Sequence, residues 1–549
     1  MRKLLFQAFL FFNICTLFSQ ENGNFYGGLE SNSQWLQTDE GINFLAPEDQ
    51  FRVNNYVLLN YNLGNFTAGM QFESYLPSAL LGYAPIYDGQ NGVATYYINY
   101  KDEKIDVTGG FFYEQFGSGL ILRSWEDRQL GLNNAMKGVN IRYKATEDLY
   151  FKAVFGKQRN GFEESEGNIQ GIDADLNLSN ALNINSVDIQ MGLSYVGRNQ
   201  DTGGNQAIPS NVGAYSGRFD FVIGDFYAGV EAIVKDPDAI VNEGQLSSNK
   251  LYDGTALQVN AGYARKGLGI NATFRRLENF SFFADRLAEG NIFNQQVINY
   301  VPGLTKQQDY LLTNIYVYNP QPRLVIESFD QRAGEVGSQI DLYYSLKKGT
   351  ALGGKYGTKI AANFSYWAGL DAEYNIENRW YKAKFIGSGQ TLFRDVNLEV
   401  KKRLSKKWSS VFTYQNVTID KGIVEGGPLG NSSINANIGV IEATRRFEKG
   451  KALRMVAQHL WSQDDRKNWI AGVLEYNFST SFAIYAADNY NYEGLGKIHY
   501  YSVGGSYSKG NTRLGLNYGR QRGGLICIGG VCRFVPENTG LSANLTVAF

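Results

Sequence analysis

The most constraining feature of the sequence is an alternation of apolar and polar residues, repeated in many segments of about ten residues. In one segment Val396, Leu398 and Val400 share a face, and every intervening residue from Asp395 to Arg403 is polar or charged. A period of two is the side-chain period of a β-strand. Soluble β-sandwiches show it too. Segments of about ten residues, however, exceed most soluble strands and match the length that a tilted strand needs to cross a bilayer.

Two further patterns favour a transmembrane barrel over a soluble sheet protein. Aromatic residues such as Trp408, Phe412 and Tyr414 recur near segment ends, which is typical of interfacial girdles. Short polar connections such as 102–104 and 404–407 alternate with longer ones, as short periplasmic turns and long extracellular loops do in barrels. Beyond the N-terminus no run of apolar residues is long enough for a membrane helix. The sequence therefore predicts one all-β domain over 21–549, a single antiparallel transmembrane barrel of about 22–24 strands.

Both ends of the chain carry features of an exported outer-membrane protein. A basic and then apolar N-terminus has the order of a cleaved signal peptide, which we place at 1–20. The last strand resembles the terminal strand that barrel-insertion machinery reads, with Leu545, Val547 and Phe549 as the candidate insertion signal. We therefore expect an outer-membrane location, with outer-membrane lipid and the insertion machinery as partners.

Residues that enzymes and nucleic-acid-binding proteins commonly use are scarce. Only His459 and His499 are present, and neither sits in a pattern with a serine nucleophile and an acid, so we predict that the chain is not an enzyme. The sequence shows no metal-binding spacing of Cys and His, no phosphate-binding loop and no dinucleotide fingerprint, so no metal or cofactor is expected. A net charge of −1 provides no basic field to attract nucleic acid.

Cys527 and Cys532 are expected to form a disulfide. Gly529 and Gly530 between them suit a two-residue hairpin turn, because glycine tolerates positive φ at both positions. Such a turn sets the cysteines opposite each other at a non-hydrogen-bonded pair, where their Cβ atoms are close enough to bridge. An oxidising envelope favours the bond over the alternative, a redox-active or metal-binding pair. Cys15 is expected to leave with the signal peptide.

Charged residues of both signs fall on the predicted lumen face. A ring of one sign would indicate an ion-selective pore, whereas mixed signs indicate a weakly selective channel or a wet interior with salt bridges. The lumen-lining candidates are Glu73, Asp106, Glu114, Arg142, Lys144, Asp188, Arg218, Asp220, Asp395, Glu399, Lys401 and Arg403. Of these interpretations, solvated structural charge without a role in conduction is the favoured one.

Two long connections interrupt the strand pattern, near 116–136 and 277–335. Connections of such length are usually functional or disordered. Aromatic residues such as Phe282 and Tyr310 argue against disorder, because their apolar surface needs burial. We expect at least one connection to fold inward as a constriction; the alternative is an outward docking surface for envelope proteins.

Three pieces of the sequence are familiar. They are Phe-Ser-Gln at 18–20, Tyr-Glu-Gln-Phe-Gly-Ser-Gly-Leu at 113–120, and the segment 523–536 with its Cys-Ile-Gly-Gly-Val-Cys-Arg-Phe-Val-Pro run. In these pieces the chain resembles an uncharacterised, Flavobacteria-like family of large outer-membrane β-barrels from Bacteroidota, over its whole mature length. The resemblance implies an outer-membrane barrel and a host of that kind, and it brings no activity and no site residue.

These patterns predict a porin-like channel or transport protein whose lumen is constricted by a loop. The alternative is a non-enzymatic structural or assembly subunit of a larger outer-membrane complex for secretion, gliding or barrel insertion. A blocked lumen and co-purifying partners would distinguish the subunit from the channel.

Overall fold

A computed structural model of the chain describes residues 23–242, 245–328, 330–426, 433–494 and 496–549, and a single sheet of 24 strands dominates it. The predicted signal peptide, 1–20, lies outside the described residues. In chain order, strands β1 to β24 are Asn24–Gln37, Phe51–Leu63, Phe66–Tyr75, Asn91–Lys101, Ile105–Phe112, Met136–Lys144, Leu149–Asn160, Glu163–Asn177, Asp188–Asn199, Asn211–Ile223, Phe226–Asn242, Gln245–Arg265, Leu268–Glu278, Gly334–Leu346, Thr358–Gly369, Thr391–Arg403, Trp408–Asp420, Ser433–Arg446, Ala452–Ser462, Trp469–Asn477, Phe482–Asn491, His499–Lys509, Thr512–Gln521 and Asn538–Ala548.

Each strand pairs antiparallel with the next along the chain, and the sheet closes on itself. The last strand, β24, pairs with β1 in a register that sets Ala548 opposite Gly28 and Thr539 opposite Gln37. Closure leaves no unpaired edge on the main sheet. The prediction of a single large antiparallel barrel is confirmed, with 24 strands.

The alternation of the sequence explains which face of each strand points outward. Along β16, Val396 and Leu398 are 41% and 45% exposed on the outer wall, whereas Asp395 and Asn397 are 1% and 3% exposed inside. A bilayer core cannot satisfy backbone polar groups, and a closed ring of hydrogen-bonded strands with an apolar outer face meets that requirement. None of the described helices is long and apolar enough to cross a membrane.

The two ends of the barrel differ in their connections. Both described termini and tight turns such as 64–65 and 102–104 lie at one end, which we call the turn end. The opposite end, the loop end, carries long connections, including the one from Glu278 to Gly334. In bacterial outer-membrane barrels short turns face the periplasm. The connections also contain the short helices Leu178–Ala181 and Lys421–Glu425 and the 3-10 turns Glu40–Ile42, Pro85–Tyr87 and Glu289–Phe293.

The hydrophobic core lies inside the barrel, towards the loop end. Phe280 and Phe282 of one connection pack with Val196 on an inner strand face, and Tyr318 packs with Trp367. Short hairpins outside the main sheet pair Gln115–Phe116 with Leu122–Arg123, Glu126–Asp127 with Leu132–Asn133, Val325–Ile326 with Gln331–Arg332, Ala372–Asn375 with Trp380–Ala383, and Gly524–Ile528 with Val531–Val535.

Candidate functional site: a lumen filled by its own loops

The connection between β13 and β14, residues 279–333, crosses the interior of the barrel, and we call it the plug. On one side the Gln296 amide donates to the backbone carbonyl of Arg159 in β7, at 2.7 Å. On the other side the backbone N–H of Leu312 donates to Oε1 of Gln458 in β19, at 3.0 Å. Because β7 and β19 stand twelve strands apart in a ring of 24, the plug spans the full width of the lumen.

The connection between β5 and β6, residues 113–135, also lies inside the barrel, and we call it the inner loop. Arg128 donates to the carboxylate of Glu30 in β1 at 2.7 Å. The backbone N–H of Ser118 donates to the carboxylate of Glu231 in β11 at 3.3 Å. The inner loop therefore reaches from β1 to β11. Both long connections fold inward, where the sequence predicted that at least one would.

A buried ion pair fixes the plug near β14. Glu335 accepts from Nη2 of Arg275 at 2.7 Å, and neither side chain is exposed to solvent. The same carboxylate accepts hydrogen bonds from the Tyr318 hydroxyl and the Gln321 N–H of the plug. Burial and the adjacent carboxylate raise the pKa of Tyr318 well above its usual value, so the hydroxyl keeps the proton that it donates. Removing one partner of a buried ion pair costs about 3–5 kcal/mol.

A second charged cluster fixes the first part of the plug to β9 and β11. The Asp238 carboxylate accepts from Arg198 of β9 and from Arg286 of the plug, each at 2.9 Å. Arg198 also donates to the backbone carbonyl of Phe283, and Arg286 to that of Pro209. Two guanidinium groups share one carboxylate and backbone carbonyls, so plug and wall are joined by charge-assisted hydrogen bonds.

The connection between β23 and β24 forms a closed hairpin, residues 524–535, which we call the terminal hairpin. Cys527 lies opposite Cys532, and the two form the predicted disulfide. Gly529 and Gly530 have φ values of 60° and 93°, as the two-residue turn requires. The carbonyl of Gly529 accepts hydrogen bonds from the plug. The terminal hairpin is therefore part of the lumen filling.

A cavity of about 960 Å³ remains between this filling and the wall formed by β19–β24, and we call it the lumen cavity. Gln458, Glu475 and Asn489 line it from the wall, and Gln308 and Tyr310 from the plug. Amide, hydroxyl and apolar groups alternate around it, so the surface is polar without one dominant charge.

Most charges around the lumen cavity are paired. Arg454 binds Glu442 at 2.9 Å and lies 3.7 Å from Glu475. The Tyr310 hydroxyl of the plug donates to Glu442 at 3.3 Å. Burial, together with Glu442, raises the pKa of Tyr310 to about 12, so the Tyr310 hydroxyl stays protonated and uncharged.

A second cavity, of about 740 Å³, lies at the loop end, and we call it the vestibule. Its charged lining residues are Lys421, Glu425, Asp464, Asp465, Arg466, Arg522 and Glu537. Burial raises the pKa of Glu425, and Asp465 adds to this effect, although Lys421 opposes it. The net charge of the vestibule therefore becomes more positive when Glu425 binds a proton.

Arg522 and Leu525 line both cavities, and we call this pair the neck. The Arg522 guanidinium donates to the backbone carbonyls of Gly523 and Asn314, at 3.0 and 3.1 Å. Burial and the nearby Arg466 lower the pKa of Arg522. The neck thus carries a cation with carbonyl partners, between two cavities on the same side of the plug.

The predicted lumen residues occupy three settings. Glu73, Glu114 and Arg218 are buried in ion pairs with Arg159, Arg142 and Asp173, so they do not face an open wall. Asp395 is buried beside the amides of Asn397 and Gln415. The others, Asp106, Arg142, Lys144, Asp188, Asp220, Glu399, Lys401 and Arg403, belong to the turn-end halves of their strands.

Arg403 departs from the predicted arrangement. Its guanidinium donates to the backbone carbonyls of Ser405 and Lys406 in the adjoining turn. A long side chain at a strand end reaches the carbonyls that a tight turn leaves without strand partners. Arg403 therefore braces its own turn.

Sequence reasoning missed the residues that hold the plug. Arg275 and Glu335 lie at the loop ends of their strands and continue the inward series there, so the alternation contained a signal for their orientation. Arg159 has the period of the outward residues Phe151 and Phe155 and turns inward only through a register shift after Lys157. Their partners were not visible, since Glu73 and Arg159 are 86 residues apart in the chain. Only the closed barrel brings them together.

Neither histidine has a serine or cysteine among its hydrogen-bond partners in the described part of the chain. His459 Nε2 lies 2.8 Å from the Tyr492 hydroxyl, and His499 Nδ1 lies 2.7 Å from Asp488. Across the same residues, no group of three or more His, Cys, Asp or Glu side chains is placed to hold a metal ion.

Fold and site together define a large transmembrane β-barrel of the outer-membrane type, with a lumen filled by its own loops. The chain belongs to the family of unknown function DUF6029, whose profile matches residues 1–549. No curated protein sequence matches the chain.

Distant likenesses exist among solved structures. The P pilus usher (PapC) translocation pore has 9% sequence identity, with 95% of this chain and 99% of that chain covered, at a TM-score of 0.44. A mutant of the ferric enterobactin receptor PfeA from Pseudomonas aeruginosa has 10% identity, covering 97% and 81%, at 0.39. Pseudomonas aeruginosa OccK5 (OpdH) has 11% identity, covering 80% and 98%, at 0.35. Likeness this distant transfers no function to this chain.

Proposed function

We propose that this protein is a non-enzymatic outer-membrane transport barrel in which a solute passes beside the plug, along the wall of β19–β24. The proposal rests on the neck, where Arg522 and Leu525 border both the lumen cavity and the vestibule. On other sides of the lumen, buried charged groups join the filling to the wall, as Arg286 of the plug does with Asp238 of β11. The β19–β24 side is therefore where the smallest rearrangement opens a path.

The chemistry of the neck supports a preference for anions or for neutral polar solutes. Arg522 is a cation with no carboxylate in an ion pair with it among the described residues, and a cationic constriction lowers the barrier for anions. The lumen cavity beyond it is polar and largely charge-compensated.

Single-channel conductance in planar bilayers tests the proposal. Arg522→Ala shortens the side chain at the neck and is expected to raise conductance and reduce anion preference. Leu525→Trp fills the neck and is expected to lower conductance. Lys384→Ala is the matched control, because Lys384 is exposed on the loop end, where it pairs with Asp371 away from both cavities.

Folding of each variant is checked by its heat-modifiable migration on a gel, which also tests the membrane location together with cell fractionation. Conductance that is equal in all four proteins, or absent from all of them, would contradict the proposed path.

A second candidate function is that of a non-transporting subunit in an outer-membrane complex. One observation favours it: Phe385 and Ile386 are 69% and 87% exposed at the loop end, beside the hairpin Ala372–Asn375 and Trp380–Ala383. Adjacent apolar side chains that are exposed outside the membrane-spanning strands form a candidate contact patch, whereas a single exposed apolar side chain needs no explanation. A silent barrel that co-purifies with a stoichiometric partner, and loses it on Phe385→Ser and Ile386→Ser substitution, would support this function over transport.

A further inference from the structure

Four neighbouring turns at the turn end are strongly basic, and we call them the basic crescent. They connect β12 to β13, β14 to β15, β16 to β17 and β18 to β19, and so follow one another around the rim. Their basic residues, with those among the two terminal residues of each adjoining strand, are Arg265, Lys266, Lys347, Lys348, Lys355, Lys359, Lys402, Arg403, Lys406, Lys407, Arg445, Arg446, Lys449 and Lys451. One carboxylate, Glu448, lies among these fourteen cations.

The cations of the basic crescent lack anionic partners. None of the fourteen forms an ion pair with any residue that the structure describes. Elsewhere in the barrel charges are neutralised inside the chain, as for Arg275 and Glu335. Concentrating like charges on one side of a rim is unfavourable unless something outside the chain compensates them.

The opposite side of the same rim has the reverse character. The turns that join β4 to β5, β6 to β7, β8 to β9 and β10 to β11, with the two terminal residues of each adjoining strand, contain the carboxylates Asp102, Glu103, Asp106, Glu147, Asp148, Asp188 and Asp225. Three lysines, Lys101, Lys104 and Lys144, accompany them. The rim is thus divided into a basic and an acidic side, which a uniform requirement for solubility does not explain.

Several crescent cations lie on the outer wall, at the level of the membrane interface. Arg445 continues the outward series of Ile441, and its guanidinium lies 5.5 Å from the ring of Trp408 and 4.8 Å from that of Phe447. Lys402 likewise continues the outward series of Leu398 in β16. Aromatic side chains of this kind mark the headgroup level of a bilayer.

We propose that the basic crescent binds the headgroups of anionic phospholipids in the adjacent leaflet and so gives the barrel an asymmetric lipid annulus. Lipid phosphate groups can reach the cations on the outer wall. A soluble protein that docks below the rim cannot reach them there. Each Lys or Arg near an anionic membrane surface contributes about 1 kcal/mol of attraction. The acidic side of the rim repels the same headgroups, so the enrichment is confined to the crescent.

The test uses Trp408 as a reporter in vesicles that contain phosphatidylglycerol and phosphatidylcholine in equal amounts, with one or the other lipid brominated. The contribution of Trp408 is obtained by subtracting the signal of Trp408→Phe. The matched control combines Trp408→Phe with Phe151→Trp, which moves the reporter to the outward face of β7 beside the acidic turn 145–148. A neutralised variant carries Lys402→Gln, Lys406→Gln, Lys407→Gln and Arg445→Gln, and heat-modifiable migration confirms that it folds.

The expected result is stronger quenching of Trp408 by brominated phosphatidylglycerol, equivalent to a local lipid ratio about fivefold above the bulk, or about 1 kcal/mol. The preference is expected to disappear in the neutralised variant and at the reporter in position 151. Equal quenching of Trp408 by the two lipids at low salt would overturn the proposal and leave an acidic periplasmic protein as the partner. An equal preference at both reporter positions would overturn it too, because the attraction would then not belong to the crescent.

Discussion

Replacing Glu335 with glutamine is expected to release the plug while the barrel stays folded. Glutamine keeps the size of the side chain and an oxygen that accepts from Tyr318 and Gln321, but it leaves the Arg275 guanidinium buried without its counter-charge. Two unit charges about 4 Å apart attract by about 4 kcal/mol at an effective dielectric constant of about 20. That figure agrees with the cost of about 3–5 kcal/mol for breaking a buried ion pair.

The effect should appear as faster local opening, measured by native-state hydrogen exchange in detergent or nanodiscs. Each 1.4 kcal/mol is a factor of ten, so amides of residues 279–333 are expected to open about 10²–10³ times more often. The strand amides of β1–β24 should keep their protection, because the backbone hydrogen bonds between strands do not depend on this pair of side chains. Longer or more frequent openings in planar bilayers should accompany the change in exchange.

Glu442→Gln is the matched control for Glu335→Gln. Glu442 pairs with Arg454, and their side chains are 17% and 30% exposed to solvent. The substitution is therefore expected to change the free energy of plug opening by less than about 1 kcal/mol. If both variants showed the same exchange as the unaltered protein, buried charge would not be what holds the plug, and the reasoning would be refuted. If β13 and β14 lost protection together with the plug, the pair would be a support of the barrel wall instead.

Three further predictions concern the hairpin, the vestibule and the last strand. Replacing Cys527 and Cys532 with serine removes a short cross-link worth about 2 kcal/mol, so hydrogen exchange should rise within 524–535 while the thermal midpoint of the barrel moves little; a large loss of barrel stability would contradict this. The pKa of Glu425 is raised in the folded state, so folding favours its protonated form. Local stability around Lys421–Glu425 should therefore be highest below the unfolded-state pKa of about 4.5 and should fall as the pH rises through the folded-state pKa. Hydrogen exchange in Glu425→Gln should not show this pH dependence of local stability. Phe549→Ala should lower the amount of folded protein in the outer-membrane fraction, whereas Phe482→Ala, an exposed aromatic on the outer wall, should leave it unchanged; equal yields for Phe549→Ala and the unaltered protein would argue against a terminal insertion signal.

The class of fold was predictable because its cause is local. Alternation along a segment such as 395–403 places each side chain on one face or the other without any knowledge of the neighbouring strands. The turn at Gly529 and Gly530 was predictable for the same reason, since positive φ at two successive positions is a requirement of the turn itself. The predicted number of strands, about 22–24, includes the 24 that form the sheet.

The arrangement inside the barrel was decided only by the tertiary structure. Residues 279–333 have no period, so their sequence showed that aromatic surface needed burial but not where it would be buried. Glu73 was predictable as an inner-face residue, but its pairing with Arg159 depends on how strands 86 residues apart meet across a closed ring. Hydrophobic alternation acts within one strand, whereas ion pairs, cavities and the neck arise from distances between strands, and the chain acquires those distances only when the barrel closes.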